Sequence, residues 1–307
     1  MPIWAVSSVE ELVAGGLSFA AFAACLAGWV WFIRGMRRGI DPLANSPSFP
    51  ICSPTPAGWL LLIAFVMQIF SEVVALRVAA PEEIFRDWIA NVGLPDLTRI
   101  MAAKVVASLA VVLAAGIVIA WLMRRGNSAE KLTADSLLSR PQLNDLKLGA
   151  ICCGLFAPLL LALNGLLSLL PVFQNQAHPF IETLQRVYKT SGDTSEFIGL
   201  FGLIAFSVIV IAPLFEELLF RGLFQGWLRR LLPTTNSTGA IAGSALIFAL
   251  THLGHGPAPI PLFLFGLGLG YLYERTGRLW PCIFAHALFN ATTTVLLWWQ
   301  LHSPAPG

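Results

Sequence analysis

The chain reads as long apolar runs divided by short polar breaks. A bilayer core takes about 20 apolar residues of helix, within a range of about 17–25. Runs of that kind are predicted over Leu12–Ile33, Gly58–Leu76, Val105–Met123 and Leu148–Leu170, from near Phe197 into Pro213 and the polar group after it, and over Leu279–Gln300. Two shorter runs, Ala240–Leu253 and Ile260–Tyr273, complete a predicted set of eight spans. No base precedes the first run, whereas Arg34, Arg37 and Arg38 follow it. That flank marks a retained helix rather than a cleaved signal. The pattern predicts an all-α fold, a polytopic transmembrane helical bundle.

Composition agrees with the pattern. Of the 307 residues, 56% are hydrophobic and only 12% are charged, and mean hydropathy is +0.74. Soluble domains carry about 25% charged residues, so a soluble protein and a disordered chain are excluded, as is a nucleic-acid partner. The net charge of +2 is uninformative, but the placement of the bases is not. With the N-terminus outside, the inner segments collect Arg34, Arg37, Arg38, Arg124, Arg125, Lys131, Arg140, Lys147, Arg229, Arg230, Arg275 and Arg278. This satisfies the positive-inside rule for eight spans with both termini on the outer side. Gly39 to Ala57 and Gly126 to Lys147 then read as cytoplasmic segments. The predicted organisation is three N-terminal helices over residues 1–125, a cytoplasmic linker over 126–147, a helical domain over 148–300 and a tail over 301–307. An amphipathic interfacial helix is predicted around Phe180 to Tyr188.

Ionisable residues inside a membrane helix cost about 2.5–3.5 kcal/mol each on the insertion scale, so each needs a reason. The fifth run carries the densest group, Glu216-Glu217-x-x-x-Arg221. Glu217 and Arg221 are four apart and share a helix face, which predicts an ion pair. Glu216 points about 100° away from Glu217 on an ideal helix, and is left as the group able to move protons. The sixth run ends Phe248-x-x-x-His252, and the eighth contains His286-x-x-x-Asn290 on one face. At about 1.5 Å per residue, Glu216 lies about 20 Å above the inner basic edge, His252 about 18 Å, and His286 and Asn290 about 12 and 18 Å. All four fall in one slab of the membrane.

Other polar groups read as bland. Glu82, Glu83 and Arg86 follow Pro81 at an outer span end and read as a solvated loop. Gln68 and Glu72 are i,i+4 neighbours read as helix packing or contact with the site, and His178, His255 and His302 as loop or tail residues. Gly266 and Gly270 are four apart and suit close helix packing. The five cysteines, Cys25, Cys52, Cys152, Cys153 and Cys282, include no Cys-x-x-Cys pair and read as small buried hydrophobes.

A Glu, two His and an Asn in a membrane cavity have the chemistry to add water to a carbonyl. Glu216 and His252 are suitable bases for the water. Asn290, through its amide, and His286, through a ring N–H, are suitable donors to the oxyanion. Glu217 and Arg221 would support the site. No Gly-x-Ser-x-Gly or His-Glu-x-x-His motif is present, and Gly192-Asp193 lies in an outer loop.

Together, Glu216-Glu217-x-x-x-Arg221, Phe248-x-x-x-His252 and His286-x-x-x-Asn290 resemble, in order and spacing, the CAAX protease and bacteriocin-processing family, which includes the type II CAAX prenyl endopeptidases. The resemblance covers about Phe197 to Gln300 and not the first three spans. It implies an integral protein of the cytoplasmic membrane, an endopeptidase whose site opens toward the cytoplasm. Glu216 and His252 would activate water, His286 and Asn290 would hold the oxyanion, and Glu217, Arg221 and Phe248 would support them. The implied partners are membrane lipid and a peptide or membrane-protein substrate, with no cofactor. The alternative is a zinc enzyme with Glu216, His252 and His286 as ligands, since two His and one Glu form a zinc-like set. A proton-coupled transporter would need inverted repeats, which the sequence does not show. A non-catalytic scaffold or immunity protein is the remaining alternative, although no motif residue is missing.

Overall fold

The structure is a computed structural model that describes residues 93–125, 140–173, 179–232, 237–253 and 256–302, with isolated positions between 23 and 66. The described residues are all-α, without a strand. In chain order the elements are α1 (Leu94–Arg125), α2 (Leu143–Ser168), α3 (Pro179–Ser191), α4 (Ser195–Phe206), the π-helical turn π1 (Ser207–Ile211), α5 (Ala212–Glu217), a second π-helical stretch π2 (Leu218–Gln225), α6 (Gly226–Leu231), α7 (Thr238–Leu250), α8 (Pro259–Thr276) and α9 (Leu279–His302). Four helices among the described residues are long and apolar enough to cross a membrane: Leu94–Ala114, Leu143–Ser168, Ser195–Arg229 and Leu279–His302. Thr238–Leu250 is apolar but shorter. Apart from those isolated positions, the first two predicted spans lie outside the described residues, as do Cys25, Cys52, Gln68, Glu72, Glu82, Glu83, Arg86, His178 and His255.

Several boundaries differ from expectation. The fifth span begins at Ser195, two residues before the predicted start, and its helical structure runs through Pro213 and the polar group to Arg229. α2 begins at Leu143, inside the predicted linker, because Asp145 caps it: the Gln142 N–H donates to Asp145 Oδ2 at 2.8 Å. His302 is not a tail residue. It closes the last turn of α9, where its ring bonds the Trp298 carbonyl and the Asp193 carboxylate, both at 2.8 Å.

Association of helices in lipid depends on close packing and interhelical hydrogen bonds, because lipid is as apolar as leucine. Both devices are present. α9 lies along α2, and α7 along α8. Gly266 and Gly270 do pack closely: a Cβ at Gly266 would lie 3.0 Å from that of Ala245, and one at Gly270 would lie 2.9 Å from Ile241 Cγ2. Cys152, Cys153 and Cys282 are free and buried, in a cluster with Leu160, Phe265 and Leu269. A second cluster joins Leu97 of α1, Leu184 of α3, Phe197 and Leu200 of α4, and Leu301 of α9.

Two polar ties lock the bundle. Arg278 donates from Nε and Nη2 to Asp145 Oδ1 and Oδ2 at 2.8 and 2.7 Å, and from Nη2 to the Arg140 carbonyl at 2.7 Å. This pins the turn between α8 and α9, where Gly277 has φ 66°, to the start of α2. Gln225 Nε2 donates to the Gly270 carbonyl at 3.0 Å and to Glu274 Oε2 at 3.3 Å, while Arg229 pairs with Glu274 Oε1.

Gly149 gives a direct test of the α2–α9 seam. A Cβ there would lie 2.7 Å from Phe284 Cβ, 2.9 Å from the Ala285 nitrogen and 2.9 Å from the Pro281 carbonyl oxygen. Backbone atoms cannot swing aside, so Gly149→Ala is expected to lose about 1–3 kcal/mol. Gly154 has nothing within 4 Å of a Cβ, and Gly154→Ala is expected to gain up to about 1 kcal/mol from helix propensity. Thermal melts in detergent that failed to separate the two variants, in that order, would refute this packing.

Candidate active site

The site begins with a local irregularity of the helix. π1 places the Ala212 N–H on the carbonyl of Ser207, five residues back rather than four. A second π stretch begins directly after Glu217. Such turns are rare and recur at functional sites, because each one re-aims the side chains that follow. Here they bracket Glu216 and Glu217.

Glu217 is fully buried, and its Oε1 accepts two hydrogen bonds. Arg221 Nη1 donates at 2.9 Å, as the spacing predicts, and His286 Nδ1 donates at 2.7 Å. The second bond is absent from the sequence reading, because it joins residues 69 positions apart. Arg221 is also fully buried. Its Nη2 donates to the Gly266 carbonyl at 3.2 Å, and its guanidinium carbon lies 5.0 Å from the centre of the Phe248 ring. An ion pair in so dry a setting contributes little net stability, since desolvation offsets the attraction. Its clearer effect is geometric. It fixes the carboxylate that fixes the imidazole, and with Nδ1–H committed to Glu217, Nε2 of His286 faces outward.

His286 Nε2 lies 3.8 Å from Glu216 Oε2. One imidazole therefore stands between the two adjacent carboxylates. The carboxylates differ sharply in access: the Glu216 side chain is 26% exposed and that of Glu217 is 0% exposed. Glu216 Oε2 has no hydrogen-bond partner among the described residues although the atom itself is buried.

Aromatic rings hold the histidines in place. Phe248, fully buried, meets His286 edge-on with centroids 5.8 Å apart and His252 with centroids 5.0 Å apart. Phe265, also fully buried, meets His286 at 90° and 5.8 Å. Phe265 carried no signal in the sequence beyond its place beside Gly266. His252 lies in the turn just past α7, half-buried, with Nδ1 2.9 Å from the Phe248 carbonyl. A ring that donates there from Nδ1 keeps its lone pair on Nε2.

Asn290 sits one turn beyond His286, about 6 Å along α9, and is half-buried. Its Nδ2 donates to the Val208 carbonyl in π1 at 2.8 Å. Glu216, Glu217, Arg221, Phe248 and His286 thus form one directly contacting set. His252 joins it through Phe248, and Asn290 joins it through the backbone of the same long helix. Among the described residues, no three His, Cys, Asp or Glu side chains meet as a metal site. The Glu217 bond occupies His286 Nδ1 and leaves Nε2 as the ring nitrogen on the Glu216 side.

No curated protein and no solved structure matches the chain. One family does. The family described as type II CAAX prenyl endopeptidase Rce1-like matches residues 198–292, a stretch that runs from α4 into α9 and contains every residue of the contacting set together with His252 and Asn290. The chain is an integral membrane protein by its four apolar helices, and its segment 198–292 matches the Rce1-like type II CAAX prenyl endopeptidase family.

Proposed function

We propose that the protein is an intramembrane endopeptidase that hydrolyses a peptide bond of a membrane-associated or lipid-modified substrate with a glutamate-activated water. The observation that carries this reading is Glu216: a carboxylate with one buried oxygen unpartnered among the described residues, beside a clamped histidine, in an otherwise apolar bundle. A protein does not ordinarily leave a buried carboxylate oxygen unsatisfied. A water held there would satisfy it.

Glu216, assisted by the Nε2 lone pair of His252, takes a proton from that water. The hydroxide oxygen bonds to the scissile carbonyl carbon, and the carbonyl oxygen becomes an oxyanion. Asn290 Nδ2 and His286 Nε2 are its donors. Because His286 Nδ1–H already serves Glu217, the ring can donate from Nε2 only as the imidazolium. Charge then balances: Glu216 and Glu217 against Arg221 and His286. The C–N bond breaks as Glu216 returns the proton to the departing nitrogen. The same reading includes eight spans with both termini outside, and, from the family resemblance, a site that opens toward the cytoplasm of the cytoplasmic membrane. The substrate class is a peptide held at the membrane, of which a CAAX peptide carrying a prenylated cysteine is the first to try. No metal takes part.

The test uses purified protein in vesicles with a farnesylated CAAX peptide, its unprenylated control and a membrane-peptide library. Cleavage is expected, and is expected to persist after exhaustive chelation at less than one equivalent of bound metal. Activity lost to chelation and restored by zinc would overturn the metal-free mechanism. Intact peptides throughout would overturn the endopeptidase reading.

A further inference from the structure

We propose that Pro213 is a positioning residue for the oxyanion donor: its missing N–H leaves the Val208 carbonyl open, and that carbonyl holds the Asn290 amide. In the five-residue register of π1, the Ala212 N–H is spent on Ser207. The next donor in that register, due to reach Val208, is residue 213. It is proline, buried in the first turn of α5, and has no N–H to give. Val208 is 37% exposed, but in a membrane span a carbonyl without a donor is costly because lipid supplies none, and Asn290 Nδ2 supplies the bond at 2.8 Å. The primary amide carries two N–H groups. Using one on Val208 fixes the plane of the amide and therefore the direction of the other.

This explains two features together. The helix passes Pro213 without ending, because the carbonyl it orphans is served from another helix. And Asn290, which has several rotamers on an apolar helix, is held in one of them by a group 82 positions away in sequence. The inference rests on the reading of Asn290 as an oxyanion donor, but its geometric half does not.

The experiment compares the full-length protein with Pro213→Ala and with the same position carrying lactic acid, the ester counterpart of alanine. Alanine restores the N–H; the ester has alanine's shape and no N–H. In Pro213→Ala the new N–H competes for Val208, and the Asn290 side-chain amide signal, identified in 15N spectra by its loss in Asn290→Ala, is expected to move. In the same variant kcat is expected to fall about ten- to a hundredfold with KM within about twofold, since loss of one oxyanion donor costs about 10²–10³. The ester variant is expected to recover both the signal and most of the kcat. An unmoved signal in Pro213→Ala, or a signal displaced equally in the alanine and ester proteins, would overturn the positioning role. A signal that moves in Pro213→Ala alone, with kcat unchanged, would sustain the geometry and instead remove Asn290 from the oxyanion site.

Discussion

Glu216→Gln is expected to lower kcat by about 10²–10⁴-fold, the span associated with loss of a general acid–base group, while leaving the melting temperature within a few degrees of the parent. The side chain is 26% exposed and its Oε2 has no partner among the described residues. Glutamine can therefore replace it without breaking a bond on which the fold depends. The neighbouring Glu217 should behave in the opposite way. It is fully buried and accepts from both Arg221 and His286, so its substitution should disturb folding and catalysis together. Measured kcat and thermal midpoints for the two glutamine variants would check the contrast. Similar melting losses in both would contradict the division of labour between these adjacent carboxylates.

The second large effect concerns Arg221. Removing one partner of a buried ion pair leaves an uncompensated charge, at a cost of about 3–5 kcal/mol. Arg221→Met should show that loss in reversible unfolding, because both side chains are fully buried and the guanidinium also supports the Gly266 carbonyl. Adding Glu217→Leu removes the stranded charge, and most of the stability should return. Activity should not return, since His286 Nδ1 then has no acceptor and its ring is free to turn. Recovery of both properties in the double variant would show the pair to be structural only.

The residues of this site were largely legible in the sequence, and the way they connect was only partly so. Glu217–Arg221 and His286–Asn290 follow from a spacing of four on a helix, which is local geometry. The bond from His286 to Glu217 is not local. It depends on how far the Ser195–Arg229 helix is rotated, and that rotation is set by two π stretches that leave no mark on the hydrophobic pattern. The same holds for Pro213. On the chain it is a proline inside a span, which signals only a lost helix hydrogen bond; in three dimensions the orphaned carbonyl finds Asn290. The ties Asp145–Arg278 and Gln225–Glu274 are not legible for the same reason, since each partner looks like an ordinary polar residue at a span end. The all-α membrane fold was readable because lipid forces every backbone group to be satisfied within its own helix. The lengths of the last helices were close to expectation, whereas the start of α2 was not, because a cap rather than hydropathy decides it.

The claim on which all of this depends is that Glu216 and His252 act on the same water. A double-mutant cycle tests it most directly: kcat for the parent, Glu216→Gln, His252→Ala and the combined variant, measured on one cleaved peptide. Groups that serve one proton transfer are strongly non-additive, so the combined variant is predicted to be about as slow as the slower single variant. Losses that multiply across the cycle would mean that the two residues work independently, and would contradict the shared water.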